Sequence, residues 1–196
     1  MLPALADMAV FIKRKGWKEK LKREPKKRAV SQGQYQHIKH TFEPVYNGES
    51  KILVLGSLPS VKSREEGFYY GHPRNRFWSV LSGILKCPVP QTVEEKKQML
   101  LGHQVAIYDV ILECDIIGSS DSSIRDVVPA DIGGILENSK VGRIFANGKT
   151  AAKLYQRYIE PETGIPIIEL PSTSPANAAY GLERLLQVWG QVIGEV

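Results

Sequence analysis

Only two cysteines occur in 196 residues, Cys87 and Cys114, far apart and in no CxxC pairing. Neither a four-cysteine zinc site nor an iron–sulfur cluster can be assembled from them within one chain. The four histidines, His37, His40, His72 and His103, form no HExxH pair, so no metal is indicated. Long apolar runs are scarce as well. The N-terminal stretch MLPALADMAVFI is too short to span a bilayer, carries Asp7, and precedes its positive charges instead of following them, the wrong order for a secretory signal. These absences lead to the expectation of a cytoplasmic protein with no membrane partner.

What is present is enough for one ordinary domain, since 42% of the residues are hydrophobic and a chain of this length can bury a proper core. The net charge of +5 is unevenly spread. Residues 1–34 carry ten of the 26 Lys and Arg against only Asp7, Glu19 and Glu24, a balance of +7, while the remainder stands at −2. Within that arm KRKGWKEKLKREPKKR (13–28) reads either as a fraying helix broken at Pro25 or as a solvated, disordered extension. In either form it can meet nucleic-acid phosphates.

From Lys51 onward the pattern becomes regular. ILVLG (52–56) is a continuous apolar run ending in glycine, as expected of a central parallel strand buried on both faces. Phe77, Val80, Leu81 and Ile84 recur at helical spacing, so a helix is expected just after Asn75, whose side chain can cap it. Further helices are expected near 92–102, 129–139, 149–159 and 179–193, and strands at 105–110, 143–147 and 166–170. Strands separated by helices imply a three-layer α/β/α sandwich around a mainly parallel four-stranded sheet. Ligands of such sheets bind beyond the carboxyl ends of the strands. There GSLPS (56–60) and LPSTSPAN (170–177), both rich in Gly, Ser and Pro, form two candidate walls.

NGKT (147–150) looks like the end of a phosphate-binding loop, but that loop needs a glycine at the position held here by Arg143. Gly142 is one place too early. Nucleotide hydrolysis through this motif therefore fails on spacing, although Lys149 at a helix start remains a candidate phosphate contact. More informative is GFYYGHPRNRFW (67–78). Two tyrosines, a histidine, an asparagine and two arginines in one short Gly- and Pro-containing segment can stack, hydrogen-bond and hold negative charge together.

The combination of GSLPS after the first strand, FYYGHPRNRFW some ten residues later and LPSTSPANA after the last strand resembles the uracil-DNA glycosylase superfamily. The match is closest to its hypoxanthine-DNA (deoxyinosine) glycosylase branch. The resemblance covers about residues 40–196, within a glycosylase domain placed at 35–196. It implies an enzyme that flips a nucleotide from DNA and holds its base against an aromatic face. By this resemblance Tyr70 is the stacking residue, with Tyr69 beside it. Gly56, Ser57 and Leu58 line the base pocket, and His72 is either a donor to the base or a structural histidine. Ser172 and Ser174 grip the flanking phosphates on a wedge loop that also carries Pro175 and Asn177.

Leu58 departs from the superfamily pattern, since most members place an Asp, Asn or Glu at or near this position to handle the attacking water. A leucine cannot hydrogen-bond water. The branch resembled relies instead on the asparagine of HP-x-N, here Asn75, which can orient water but has no useful basicity. The implied reaction is largely dissociative, with DNA phosphates and preorganised donors stabilising the separating charges. The resemblance thus implies a monofunctional glycosylase, with no metal and no cofactor, acting on DNA that contains deaminated bases, hypoxanthine first, with uracil or xanthine as further bases; the oligomeric state is not fixed by the sequence, a monomer being the expectation. A uracil- or mismatch-directed enzyme and a non-catalytic DNA-binding module of the same fold are the rival readings.

Overall fold

The computed structural model describes residues 34–118 and 120–194. The reading of the basic arm thus lies outside the described residues, save for Gln34. The apolar run Ile52–Gly56 forms β2, in which all five residues are buried, and it pairs in parallel with β3 (Val105–Asp109) on one side and β6 (Arg143–Asn147) on the other. The short β7 (Ile167–Leu170) adds to β6. The resulting four-stranded parallel sheet has the order β3-β2-β6-β7, with helices around it. Because the chain steps from β2 to one neighbour and returns later on the opposite side, the sheet has a switch point at the end of β2, where loops diverge and leave a crevice.

Two helices illustrate how the sequence builds the frame. Helix α7 (Leu182–Ile193) buries Leu185, Trp189 and Ile193 at four-residue spacing, one stripe of the cylinder. It packs against α2 (Phe77–Leu85), where Phe77 meets Trp189 edge-on at 6.0 Å between ring centroids. Trp189 also donates its indole N–H to the carbonyl of Pro171 at 2.9 Å, so the last helix anchors the loop that leaves β7. Helix α3 (Val93–Gly102) starts on a capping box, with Thr92 accepting from the Glu95 N–H and Glu95 accepting from the Thr92 N–H. Helix α5 (Lys149–Tyr158) follows β6 directly.

The periodicity did not foresee a second sheet. Strands β1 (Gln36–Lys39), β4 (Ile111–Ile116) and β5 (Arg125–Pro129) form an antiparallel sheet in the order β1-β4-β5. Its outer strands are mostly exposed and lack an apolar alternation, so nothing in hydrophobic period marks them. Cross-strand charge pairs accompany it: Lys39 with Glu113 at 2.8 Å and His37 with Asp115 at 3.0 Å. Two short helices, α1 (Val61–Glu66) and α6 (Glu160–Thr163), were also unforeseen. The expected helices at 129–139 and 179–193 are shorter, α4 being Ile132–Glu137 and α7 starting at Leu182.

Candidate active site

The carboxyl ends of all four parallel strands meet at one cavity of about 400 Å³. Gly56 ends β2, Asp109 ends β3, Asn147 ends β6, and the loop after β7 brings Ser172. That volume suits a small flat ligand. The first wall is fixed by the main chain, since the carbonyls of Gly56 and Ser57 accept from the N–H groups of Val110 and Ile111 at 2.9 and 3.1 Å. Gly56 is obligatory here, because a Cβ would stand 2.1 Å from Asp109 Oδ1. Leu58 also lines the cavity, its side chain packed on the small cluster of Ile111, Cys114 and Ile116.

Tyr70 supplies the aromatic surface. One face of its ring stacks on the fully buried Phe77 at 3.9 Å and 23°, and the residue lines the cavity. Its backbone is left-handed, φ 52°, a conformation that costs a non-glycine residue about 1–3 kcal/mol and that the surrounding packing must enforce. The hydroxyl is buried without a hydrogen-bond partner. Burial first, and the Asp109 carboxylate second, push this phenol well above the ordinary tyrosine value, while the Asn147 side chain pulls the other way without reaching bonding geometry. The neighbouring Tyr69 is buried, with its hydroxyl donating to the Glu43 carbonyl at 2.9 Å.

Asn75 sits at the cavity wall with its side-chain oxygen fully engaged. Oδ1 accepts from the Phe77 N–H at 3.0 Å and from the Thr173 hydroxyl at 2.9 Å. The expected N-cap role of Asn75 is not met: α2 begins at Phe77, its N-cap is Arg76 with no side-chain cap bond, and the bond to Phe77 is an Asx-type turn from the residue before the cap. With both lone pairs occupied, the group that Asn75 can offer a ligand is its Nδ2 donor. Thr173 is itself buried and tied to Asn147, donating its N–H to Asn147 Oδ1 and accepting from Asn147 Nδ2, both at 2.9 Å. Asn75, Thr173 and Asn147 thus form one hydrogen-bonded chain across three loops.

Of the other sequence candidates, Ser172 and Ser174 line the cavity, whereas Pro175, Asn177 and His72 do not. Ser172 Oγ accepts from the Ser174 N–H at 3.2 Å, Ser174 Oγ from the Ala176 N–H at 3.3 Å, and Asn177 Nδ2 donates to the Ser172 carbonyl at 2.9 Å. These side chains shape their own loop. Pro175 and Ala176 are exposed on it. His72 is turned to local structure, its Nδ1 accepting from the Arg74 N–H at 3.1 Å and its carbonyl from the Asn75 N–H at 2.7 Å. Lys149 and Thr150, at the start of α5, do line the cavity. Gly148 before them has φ 105° and leaves no room for a Cβ, which would lie 2.8 Å from that of Ser172.

Sequence reasoning missed Asp109 and His40. Both are buried, and Asp109 Oδ2 pairs with His40 Nε2 at 3.0 Å, while its other oxygen lies against Gly56 on the cavity wall. A signal existed: a carboxylate closing an otherwise apolar buried strand, VAIYD, is unusual unless it is partnered. Among the described residues no group of His, Cys, Asp and Glu is arranged to hold a metal ion, and no helix is long and apolar enough to cross a membrane.

The strand ends of the parallel α/β sheet gather an aromatic face, a carboxylate, an amide and a hydroxyl-rich loop around one cavity, a lining chemically suited to a planar, hydrogen-bonding ligand. Comparison with known proteins places the chain in a family. The uracil DNA glycosylase superfamily matches residues 43–192, and the chain belongs to it. A hypoxanthine DNA glycosylase of Methanosarcina acetivorans is 34% identical over 149 residues, covering 75% of this chain and 93% of the relative. One of Methanosarcina barkeri is 33% identical over 89 residues, covering 45% and 56%. The solution NMR structure of a candidate uracil DNA glycosylase from Methanosarcina acetivorans superposes with a TM-score of 0.67 at 29% identity, covering 81% of this chain and 99% of that one.

Proposed function

We propose that this protein is a monofunctional DNA glycosylase that releases hypoxanthine from deoxyinosine in DNA, acting in the cytosol as a monomer. The observation that carries the reading is the Asp109 carboxylate on the wall of a cavity that the Tyr70 ring also lines. A base stacked on Tyr70 presents its edge to the strand ends. The free Asp109 oxygen accepts a lactam N–H, which hypoxanthine, uracil and xanthine carry and adenine and cytosine lack, while His40 holds the other oxygen in place. The names of the curated relatives favour hypoxanthine among the three.

The reaction breaks the bond between C1′ and N9, and the electron pair leaves with the base. Positive charge on the sugar is then stabilised by the DNA phosphates, and a water oxygen forms the new bond to C1′, its proton ending on the departed base. Asn75 donates from Nδ2 to that water and so fixes its position. It needs no basicity, because the developing cation is reactive toward neutral water. Gly56, Ser57 and Leu58 form the edge of the base pocket. Lys149 and the main chain of the Ser172–Asn177 loop meet the flanking phosphates, and the exposed tip at Pro175 enters the stack in place of the flipped base. The basic residues 1–34 add contact with the DNA backbone.

The test uses duplexes carrying a single inosine, uracil or xanthine, incubated with the protein, treated with alkali and resolved by size. Cleavage of the inosine strand ahead of the other two is expected. Uracil-only cleavage would make this a uracil-directed enzyme, and intact strands throughout would make it a non-catalytic DNA-binding protein.

A further inference from the structure

Arg76, directly after Asn75, pairs with no carboxylate among the described residues. Its whole guanidinium is committed to main-chain carbonyls of one loop. Nε donates to the Thr173 carbonyl at 3.1 Å, Nη2 to that of Asn177 at 3.3 Å and also to that of Ser174, and Nη1 donates to that of Tyr180. The Arg76 main-chain N–H adds a bond to the Thr173 carbonyl at 3.2 Å. Four carbonyls spread over eight residues thus converge on one planar cation.

That loop needs such a hub. Between Pro171 and Gly181 the chain forms neither helix nor strand; Thr173 is buried and Tyr180 packs on the core, whereas Pro175, Ala176, Ala178 and Ala179 between them are exposed, so side-chain packing does little to hold the tip. A projection that is to part stacked bases must keep its shape under load, and a floppy one would lose the entropy of ordering each time it entered. We propose that Arg76 is the positioning residue of the strand-parting loop. It holds residues 173–180 rigid, so that the loop keeps the shape it needs to part the stack. This rests on the glycosylase reading above. Lysine cannot replace the fork, since an ammonium offers its donors from a single point.

The experiment compares single-turnover hypoxanthine release from a paired inosine with release from the same inosine left unpaired, in a single strand or a bulge. The ratio of the two rates on one preparation does not depend on how much of the protein is folded. Arg76→Ala is expected to slow release from the paired inosine by about 100-fold, within the cost of unpairing and unstacking that the loop helps to meet, and release from the unpaired one by no more than about threefold. Arg76→Lys should fall between wild type and Arg76→Ala. Equal losses on the two substrates, or no loss on either, would overturn the proposal. Should Arg76→Ala be inactive on both, the ratio for Arg76→Lys decides, and an unchanged ratio or loss of both activities there also overturns it. A wild type inactive on both substrates would overturn the glycosylase reading itself, and this proposal with it.

Discussion

At the scale of single residues, the site depends on which atoms are already spoken for. Asn75 spends its oxygen on Phe77 and Thr173, so Asn75→Ala should both destabilise the protein by about 1 kcal/mol, as loss of a hydrogen-bond acceptor does, and slow hypoxanthine release by about two to three orders of magnitude. Asn75→Asp keeps the acceptor and removes the donor, and it should restore the melting temperature without restoring the rate. A fast Asn75→Asp enzyme would show that the Nδ2 donor is not used. Tyr70 should tolerate Tyr70→Phe in both melting temperature and excision, because its hydroxyl is buried without a partner. Tyr70→Ala should lose about 1–3 kcal/mol of base engagement, read as slower single-turnover release. For Asp109, the carboxamide of Asp109→Asn retains one acceptor oxygen and should keep most of the activity, whereas Asp109→Ala should lose it and strand His40. Tyr70 and Asn75 were legible in the sequence because their motif is compact and carries several unusual residue types together. Asp109 and His40 were not, because the chain brings them together across 69 positions and neither belongs to a local pattern.

At the scale of elements, the parallel sheet was readable because its strands are buried on both faces and separated by helices of clear period. The antiparallel sheet was not, since β1 and β5 bury almost nothing and depend on pairing that only the folded chain provides. Helix boundaries were legible where a capping side chain marks them, as at Thr92. Thr92→Ala should cost about 1 kcal/mol and leave excision untouched, which thermal melts and a rate measurement check together. The box also sets a pH dependence. The N–H groups of Gln91 and then Thr92 hold the Glu95 carboxyl below the ordinary value of 4.5. The folded pKa is therefore the lower one, and this contribution is complete above pH 4.5 and lost as the pH falls through the folded value. Glu95→Gln keeps a neutral acceptor, so its melting temperature should trail wild type at about pH 6 and converge with it as the pH falls through the lowered folded value. A constant gap would show that the charge plays no part.

At the scale of the whole molecule, charge and chemistry occupy different parts of the chain. The +7 of residues 1–34 stands against −2 for the rest, so removing the arm should weaken DNA binding at low salt and flatten its dependence on salt concentration, as fewer counterions are released. Identical salt slopes with and without the arm would show that it stays off the DNA. The rest of the chain, by contrast, brings a cavity of about 400 Å³ to the ends of four strands, and in the proposed mechanism the bond breaks by separation of charge. The most direct measurement is analysis of both products from a duplex with one inosine: the released base by mass spectrometry, and the DNA strand before and after alkali. Free hypoxanthine with a strand that stays intact until alkali is added is the expected result. Release of inosine as a nucleoside, or a strand already broken before alkali, would contradict simple hydrolysis of the N-glycosidic bond at this site.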